Sequence, residues 1–323
     1  MARLMWRNQP VSRATRPRHR TLTAQRFACC LQASQTAPPT AFRRRPVLKT
    51  WHFITGLPRS GSTLLGGILL QNPRFHAGMS SPVAALVAAA MRTTSFNEFS
   101  VMLPEDKIHR LVRSLFEAYY DDVAPANVVF DTNRQWAASL PLLRVIAPNS
   151  RVIACVRNPA WVMDSVEQIV RRNPLRKSRL FDNDAERATV FTRTDTLLRQ
   201  DRLIGYAWSA LKEAYYSDEA DRLLLVEYDI LCQRPKETLR LIYQFIGEPW
   251  FEHDFDNVAY TAEDFDAQLN TPGLHSVKRR VEFTPRRTVL PPDVFDRLTG
   301  MAFWRDPHKT RAHKIIEKPP EQA

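Results

Sequence analysis

The chain has 323 residues, of which 44% are hydrophobic and 25% charged, and its formal net charge is +12. This composition excludes a disordered or fibrous protein and allows one α/β domain with a full core. The charge is unevenly distributed, because residues 1–50 hold ten Arg, one Lys and no acidic residue. Of the 46 basic residues, 35 therefore remain in the body of the chain, against 34 acidic ones. A nearly neutral body argues against a nucleic-acid partner.

Residues 1–48 are predicted to be a basic, disordered extension ahead of the folded domain. They are rich in Arg, Ser, Thr and Ala, which is typical of an organelle transit peptide. An unstructured extension and a start codon assigned too early are the alternatives. No run reaches the ~18 apolar residues of a membrane-spanning helix, and the four cysteines lack the spacing of a zinc site or a disulfide framework. We therefore expect a cytoplasmic protein, with organelle targeting as the alternative.

Four short apolar runs predict buried parallel strands, and helical patterns separate them. The predicted strands are residues 51–55, 127–131, 151–156 and 222–228. The predicted helices are residues 62–71, 81–92, 105–121, 135–146, 159–171, 185–217 and 235–246. This alternation indicates an α/β fold, with a mainly parallel central sheet and helices on both faces. The domain is expected over residues 49–306, followed by a C-terminal tail at 307–323.

The first predicted strand leads into the loop "GLPRSGST", residues 56–63, which has the form of a phosphate-binding turn. Its glycines permit tight turns, and the N–H groups and hydroxyls from Ser60 to Thr63 can surround an oxyanion at the start of a helix. Ser62 stands where a nucleotide triphosphatase has lysine, so the loop suits one phosphate rather than three. A small-molecule kinase with a modified loop is an alternative.

The third predicted strand supplies a second candidate anion site. Arg157 follows this strand directly, and Ser165 lies farther along the next helix, which is expected to begin at Pro159. Because ligands of parallel sheets bind beyond the carboxyl ends of the strands, both side chains could close on one anion there. The other interpretation is a structural Arg157 paired with a carboxylate.

These motifs, together with "LLLVEYDILCQRPKETLRLIYQFIGEP" at 223–249, resemble the sulfotransferase superfamily. The likeness is strongest to bacterial and tyrosylprotein sulfotransferases and covers roughly residues 50–306. It implies a fold like that of the P-loop nucleotide-binding proteins. It also implies 3′-phosphoadenosine 5′-phosphosulfate (PAPS) as co-substrate, adenosine 3′,5′-bisphosphate as product, and no metal.

The resemblance assigns the nucleotide contacts residue by residue. It implies that the 5′-phosphosulfate is held by Arg59, Ser60, Gly61, Ser62 and Thr63. Arg157 and Ser165 match the ligands of the 3′-phosphate. Tyr228 matches a residue near the adenine, and Arg279, in the basic stretch "TPGLHSVKRRVEFTPRR", matches a later basic contact with the nucleotide. That basic stretch is either a solvated loop or a lid over an anionic ligand.

Sulfuryl transfer would place charge on the peripheral oxygens and on the leaving phosphate. Positioned donors and one cation, Arg59, can stabilise that charge without magnesium. The acceptor, a hydroxyl or an amine, must lose a proton. Asp131 is the first candidate for the base and His76 the second, while Glu98 and His275 stay open.

The acceptor itself is not identified by any motif. A small molecule and a peptide both remain open as partners, as does assembly into a homodimer. A non-catalytic protein that binds an adenosine bisphosphate through the same fold is a further alternative.

Overall fold

The structure is a computed structural model that describes residues 49–317, except 97, 124–125, 174, 176–177 and 261–277. The predictions made for residues 1–48 and for His275 therefore lie outside the described residues.

The described strands form a single parallel sheet. They are β1 (Thr50–Gly56), β2 (Phe75–Ser80), β3 (Val128–Thr132), β4 (Val152–Val156), β5 (Leu223–Glu227) and β6 (His313–Ile315). Their order across the sheet is β2-β3-β1-β4-β5-β6, and every neighbouring pair is parallel. The predicted α/β class with a parallel central sheet is confirmed.

Helices connect the strands. They are α1 (Ser62–Leu69), α2 (Val83–Phe96), α3 (Glu105–Tyr119), α4 (Leu140–Ile146), α5 (Pro159–Arg172), α6 (Asp184–Arg187), α7 (Val190–Leu198), α8 (Leu203–Tyr216), α9 (Tyr228–Gln233), α10 (Pro235–Ile246) and α11 (Pro292–Thr299). A 3₁₀ turn, Arg134–Ser139, precedes α4, and the Asn133 side chain caps it by accepting from Gln135 N. The predicted helix at 185–217 is three helices, and Thr189 forms a capping box at the start of α7.

Each central strand is buried on both faces, as the continuous apolar runs indicate. In β4, Val152, Ala154 and Val156 pack into one core cluster, while Ile153 and Cys155 pack into a second cluster on the opposite face. This alternation follows from the two-residue period of a strand. It leaves the loops at the carboxyl ends of the strands as the place where polar side chains can gather.

The sequence patterns did not predict two of the strands, and both of these strands lie at edges of the sheet. The β2 sequence, FHAGMS, mixes glycine and serine with apolar residues, and β6 has only three residues, HKI. Because β6 pairs with β5, the sheet continues into the segment expected to be a tail. The ordered domain therefore extends beyond the expected boundary at Asp306.

Candidate functional site

The loop between β1 and α1 has the backbone of a tight anion-binding turn. Gly56, Arg59 and Gly61 all have positive φ, at 115°, 60° and 94°. A Cβ on Gly56 would lie 2.0 Å from the carbonyl oxygen of Cys155, so only glycine lets β1 leave the sheet this close to β4. Helix α1 then begins at Ser62 without a side-chain cap, which leaves its first N–H groups open to a ligand.

The hydroxyls of this loop differ in whether they are available to donate to a ligand. Ser60 is 1% exposed, and its Oγ lies 2.7 Å from the carbonyl oxygen of Cys155 and close to that of Leu57. That hydroxyl fixes the loop to β4 and is not available to a ligand, so only the backbone N–H of Ser60 can serve as the expected donor. Ser62 and Thr63 are half-buried, and their hydroxyls make no hydrogen bond to a described residue.

Arg59 reaches across from the loop to α5. Its Nε donates to Ser165 Oγ at 3.1 Å, although the two residues are 106 positions apart in the chain. Ser165 lies on α5, the helix that begins at Pro159 directly after Arg157 and Asn158. The structure therefore brings the two predicted anion sites together in one cleft.

Arg157 and Tyr228 form the other wall of this cleft. The Arg157 guanidinium lies 4.3 Å from the centroid of the Tyr228 ring, a cation–π distance. A Cβ on Gly61 would lie only 2.7 Å from Tyr228 Cδ2, so the ring rests on the glycine of the loop. Burial raises the pKa of Tyr228 to about 12, which keeps the phenol protonated and able to donate.

Arg157 is only loosely paired with a carboxylate. The nearest approach is 3.8 Å, from its Nε to Asp229 Oδ1, and neither of these buried atoms makes a hydrogen bond. Burial raises the pKa of Asp229, while the Arg157 charge lowers it. An arginine held in place by ring stacking, with an unsatisfied buried N–H, is suited to accepting an anionic ligand.

Two arginines of the basic C-terminal stretch have different surroundings. Arg279 is exposed and donates from Nε to Asn257 Oδ1 at 2.8 Å. Arg286 is instead paired with Asp164 Oδ2 at 2.7 Å and lies over the Trp161 ring. Burial lowers the pKa of Arg286, and the Arg157 charge adds to this lowering.

Asp164 holds the segment around Arg286 against α5. This carboxylate is fully buried and also accepts from Thr288 Oγ1 at 2.9 Å and from Val289 N at 2.7 Å. Its contacts therefore fix the chain on both sides of Arg287. Sequence reasoning found the basic stretch but not which of its arginines pairs with Asp164, because no periodic pattern covers an irregular segment.

Asp131 is enclosed rather than open to the cleft. It is 1% exposed, and it accepts from Ser81 Oγ at 2.6 Å, from Tyr120 Oη at 2.6 Å and from Trp136 Nε1 at 2.7 Å. Burial raises the pKa of Asp131, although the three donors oppose that rise. An acceptor could not reach this carboxylate without displacing a donor. The expectation that Asp131 takes the acceptor proton directly is therefore corrected, because three donors enclose its carboxylate.

His76 lies toward the opposite end of the sheet. It is the second residue of β2 and pairs with Val129, whereas Ser80 pairs with Thr132 at the carboxyl edge. Measured along β3 from Val129 to Thr132, at ~3.3 Å per residue, the His76 backbone is ~10 Å from that edge. Its half-buried ring packs edge-to-face on Tyr120, and burial lowers the pKa of His76. Glu98 is exposed in a 3₁₀ turn between α2 and α3. Neither residue joins the Arg59 cleft.

The family model described as Sulfotransferase family matches residues 52–252, more than half of the chain and the whole of the Arg59–Arg157–Tyr228 cluster. This chain belongs to the sulfotransferase family. It is 25% identical over 205 residues to protein-tyrosine sulfotransferase 1 of Danio rerio, covering 61% of this chain and 53% of the relative. The chain thus spans about half the length of that relative.

Solved sulfotransferase structures also match. The sulfotransferase domain from the curacin biosynthetic pathway is 16% identical and covers 81% of this chain and 94% of its own, with a TM-score of 0.44. Mouse sulfotransferase SULT7A1, complexed with PAP, is 15% identical and covers 77% of this chain and 82% of its own, with a TM-score of 0.42.

In this member of the sulfotransferase family, a further arginine lies at the carboxyl edge of the sheet. Arg134 follows β3, and its backbone carbonyl accepts from Thr55 Oγ1, beside the start of the glycine-rich loop. Burial lowers the pKa of Arg134, and its side chain forms no hydrogen bond or ion pair with a described residue. Arg134 does not pair with the nearby Asp131, whose donors are Ser81, Tyr120 and Trp136.

Neither a metal-holding group nor a membrane-spanning helix is found in the described ranges. No group of three His, Cys, Asp or Glu side chains there could hold a metal ion. None of the described helices combines the length and apolar character needed to cross a bilayer.

Proposed function

We propose that this protein transfers the sulfuryl group of PAPS to a hydroxyl acceptor, with adenosine 3′,5′-bisphosphate as product. The convergence of two anion-binding groups in one cleft, joined by the Arg59–Ser165 hydrogen bond, carries the proposal. A nucleotide with a 5′-phosphosulfate and a separate 3′-phosphate needs two such groups. A triphosphate would need the lysine that Ser62 replaces.

The glycine-rich loop would hold the 5′-phosphosulfate. Its uncapped N–H groups at the start of α1 and the two unpaired hydroxyls, Ser62 and Thr63, supply donors. The dipole of α1 adds a partial positive charge at the same place. Arg59 supplies a full positive charge, held toward the cleft by Ser165.

The 3′-phosphate would lie at Arg157, with Ser165 and Arg286 beside it. The pKa of Arg286 is lowered partly by the Arg157 charge, and an anion between two neighbouring guanidinium groups would relieve their repulsion. Tyr228, between Gly61 and Arg157, would keep the two phosphate sites at a fixed separation. Arg279, which is exposed, stays a predicted basic contact with the nucleotide.

In the transfer step, a bond forms between the acceptor oxygen and sulfur, and the bond from sulfur to the bridging oxygen of the phosphate breaks. The electron pair leaves with that oxygen, on adenosine 3′,5′-bisphosphate. Arg59 and the loop N–H groups would stabilise the charge that develops there. Arg134, a desolvated cation whose side chain has no partner among the described residues, is available for the peripheral sulfuryl oxygens.

A tyrosine hydroxyl on a peptide is the acceptor class we propose. The name of the Danio rerio relative, protein-tyrosine sulfotransferase 1, supports this choice. A phenol of pKa about 10 is largely protonated at neutral pH, so such an acceptor must lose its proton during transfer.

Nucleotide binding tests the donor directly. Adenosine 3′,5′-bisphosphate at about ten times its dissociation constant should stabilise the protein by roughly 1.4 kcal/mol in thermal denaturation, and ATP is compared at the same concentration. We expect stabilisation by the bisphosphate alone, and its loss in Arg59→Ala and Arg157→Ala. Arg110→Ala, which removes an exposed arginine of α3, is the control and should bind normally. Stabilisation by ATP alone would contradict the proposed donor and favour a kinase.

Transfer of labelled sulfate from PAPS tests the reaction. The acceptors are a tyrosine peptide, a simple phenol, a sugar and an amine. If the protein binds the bisphosphate but transfers sulfate to none of these acceptors, the non-catalytic nucleotide-binding alternative is favoured. Transfer that persists in both arginine variants would refute the site.

A further inference from the structure

Ser81 connects the enclosed carboxylate of Asp131 to the carboxyl edge of the sheet. Its Oγ donates to Asp131 Oδ2 at 2.6 Å and accepts from Val83 N at 3.1 Å. A hydroxyl has one proton to donate and two lone pairs. The Ser81 hydroxyl therefore has one lone pair left, and Ser81 is half-buried whereas Asp131 is 1% exposed.

Backbone contacts place Ser81 on the flank of the phosphate-binding loop. Ser81 N donates to Thr132 O at 3.1 Å, and Ser81 O accepts from Asn133 Nδ2 at 3.2 Å. Asn133 N in turn donates to Ile54 O at 2.9 Å, two residues before Gly56. Asn133 thus links Ser81 to β1, the strand that leads into the glycine-rich loop.

The strand that leads to Ser81 also packs on the helix that follows the loop. A Cβ on Gly66 of α1 would lie 3.2 Å from Gly78 O, so the two backbones are in close contact. The pairing of β2 with β3 shifts register between Ala77 and Ser80. Bulges of this kind re-aim side chains and are frequent beside active sites.

The same segment lacks a carboxylate of its own. Residues 75–83, FHAGMSSPV, contain no Asp or Glu, and their one histidine, His76, lies away from the edge. Asp131 is therefore the carboxylate that this flank of the cleft can use, and Ser81 is its one half-buried donor. Tyr120 and Trp136, the other two donors, are at most 3% exposed.

We propose that Ser81 relays the acceptor proton to Asp131 during sulfuryl transfer. This inference rests on the proposed function. The acceptor hydroxyl donates to the free lone pair of Ser81 Oγ, and the Ser81 proton moves to Asp131 Oδ2 as the acceptor oxygen bonds to sulfur. The acceptor proton remains on Ser81, Asp131 becomes neutral, and the electron pair of the broken S–O bond leaves on the bisphosphate.

The surroundings of Asp131 suit a temporary proton store. Its carboxylate is stabilised by three donors before transfer, and Trp136 and Tyr120 can keep donating after one oxygen is protonated. Burial favours the neutral acid once the proton arrives, because it raises the pKa of Asp131. A positive charge on the nearby His76 would oppose this rise, because it lowers the pKa of Asp131.

Acceptors of graded acidity test the relay. The series is a tyrosine peptide in which the acceptor ring carries no fluorine or an increasing number of fluorines, so that the phenol becomes progressively more acidic. If the wild type prefers an aliphatic hydroxyl, fluorinated alcohols take the same place. For Ser81→Ala we expect kcat to fall about 10²-fold with the least acidic acceptor, the size of a general-base contribution. The loss should disappear with an acceptor that is already ionised.

Two further variants distinguish a proton relay from a purely structural role of the Ser81 hydroxyl. Ser81→Thr keeps a hydroxyl and should retain most activity. Tyr120→Phe removes a donor to the same Asp131 oxygen but leaves Ser81 in place, so it should not show the selective loss of kcat with the least acidic acceptor. Bisphosphate affinity should be unchanged in all three variants. Equal losses for all acceptors in Ser81→Ala, or no loss at all, would overturn the relay.

A measurement on the unaltered enzyme covers the case in which Ser81→Ala does not fold. Two protons move in the proposed step, so kcat measured in mixtures of H₂O and D₂O should depend on the deuterium fraction along a curve. A straight line indicates one moving proton and would overturn the relay. Failure of the wild type to transfer sulfate to any acceptor would overturn the proposed function and the relay together.

Discussion

The Nε of Arg59 donates to the hydroxyl of Ser165 at 3.1 Å, which joins the loop after β1 to the middle of α5. Arg59 has φ of 60°, a left-handed conformation that is uncommon for a residue with a side chain. The strained backbone and the serine acceptor together direct one guanidinium into the cleft. Such preorganisation lowers the cost of ordering Arg59 when an anion binds.

We expect Ser165→Ala to weaken binding of adenosine 3′,5′-bisphosphate by about tenfold, or about 1.4 kcal/mol. The variant removes the acceptor that orients Arg59 and a hydroxyl beside Arg157. Ser114→Ala is the control, because the Ser114 hydroxyl bonds only to Leu111 O within its own helix. Titration calorimetry measures both affinities, and equal values for the two variants would contradict this role of Ser165.

Gly61→Ala should reduce nucleotide affinity by about tenfold or more. Its φ is 94°, and the new Cβ would lie 2.7 Å from Tyr228 Cδ2, so the ring would have to leave its place beside Arg157. Gly247→Ala is a matched control. Gly247 also has positive φ, at 75°, but a Cβ there meets nothing within 4 Å.

Both glycine variants should lose roughly 1 kcal/mol of folding stability from the left-handed backbone. Only Gly61→Ala should lose nucleotide binding, because only that substitution displaces Tyr228. Denaturant unfolding and calorimetry on the same preparations separate the two effects. Normal binding by Gly61→Ala would show that the position of Tyr228 is not needed.

Arg286→Ala should remove most of the preference for adenosine 3′,5′-bisphosphate over adenosine 5′-monophosphate, which lacks the 3′-phosphate. Arg286 is half-buried and fixed by Asp164, and burial together with the Arg157 charge lowers its pKa. A charge-assisted hydrogen bond of about 1.5–3 kcal/mol corresponds to roughly a tenfold to hundredfold change. The exposed neighbour, Arg287→Ala, should keep the preference, and a loss shared by both variants would indicate a general charge effect.

The sequence predicted the central strands and the strand-end motifs because each depends on neighbouring residues. The run RVIACV alone indicates a buried strand, and Arg157 at its end needs no distant partner to be recognised as a candidate. The edge strand β2 was missed because Gly78 and Ser80 interrupt its apolar pattern.

Asp131 shows what local patterns cannot supply. Its position at the end of β3 was correct, but its burial depends on Ser81, Tyr120 and Trp136, which come from three different parts of the chain. The choice between Arg279 and Arg286 is similar, because it depends on how Asp164 holds an irregular segment. Such contacts are properties of the packed fold.

His52 should make the folding stability of this protein depend on pH. The ring is 1% exposed, its Nδ1 accepts from Arg151 N at 3.1 Å, and its Nε2 has no hydrogen-bond partner. Burial, and to a smaller degree the Arg151 charge, lowers the pKa of His52 from 6.5 to about 4. The folded protein therefore keeps this histidine neutral where the unfolded chain binds a proton.

Because the unfolded state binds more protons between pH 6.5 and about 4, the stabilisation present above pH 6.5 is lost as the pH falls through this window. We expect the His52 contribution to the free energy of unfolding to decrease by about 2 kcal/mol from pH 7.5 to pH 5. Urea unfolding of the wild type and of His52→Gln measures the difference, since glutamine does not titrate and its amide oxygen can accept from Arg151 N. The exposed His308→Gln should follow the wild type, and a His52→Gln variant with the same pH dependence as the wild type would refute a neutral buried His52.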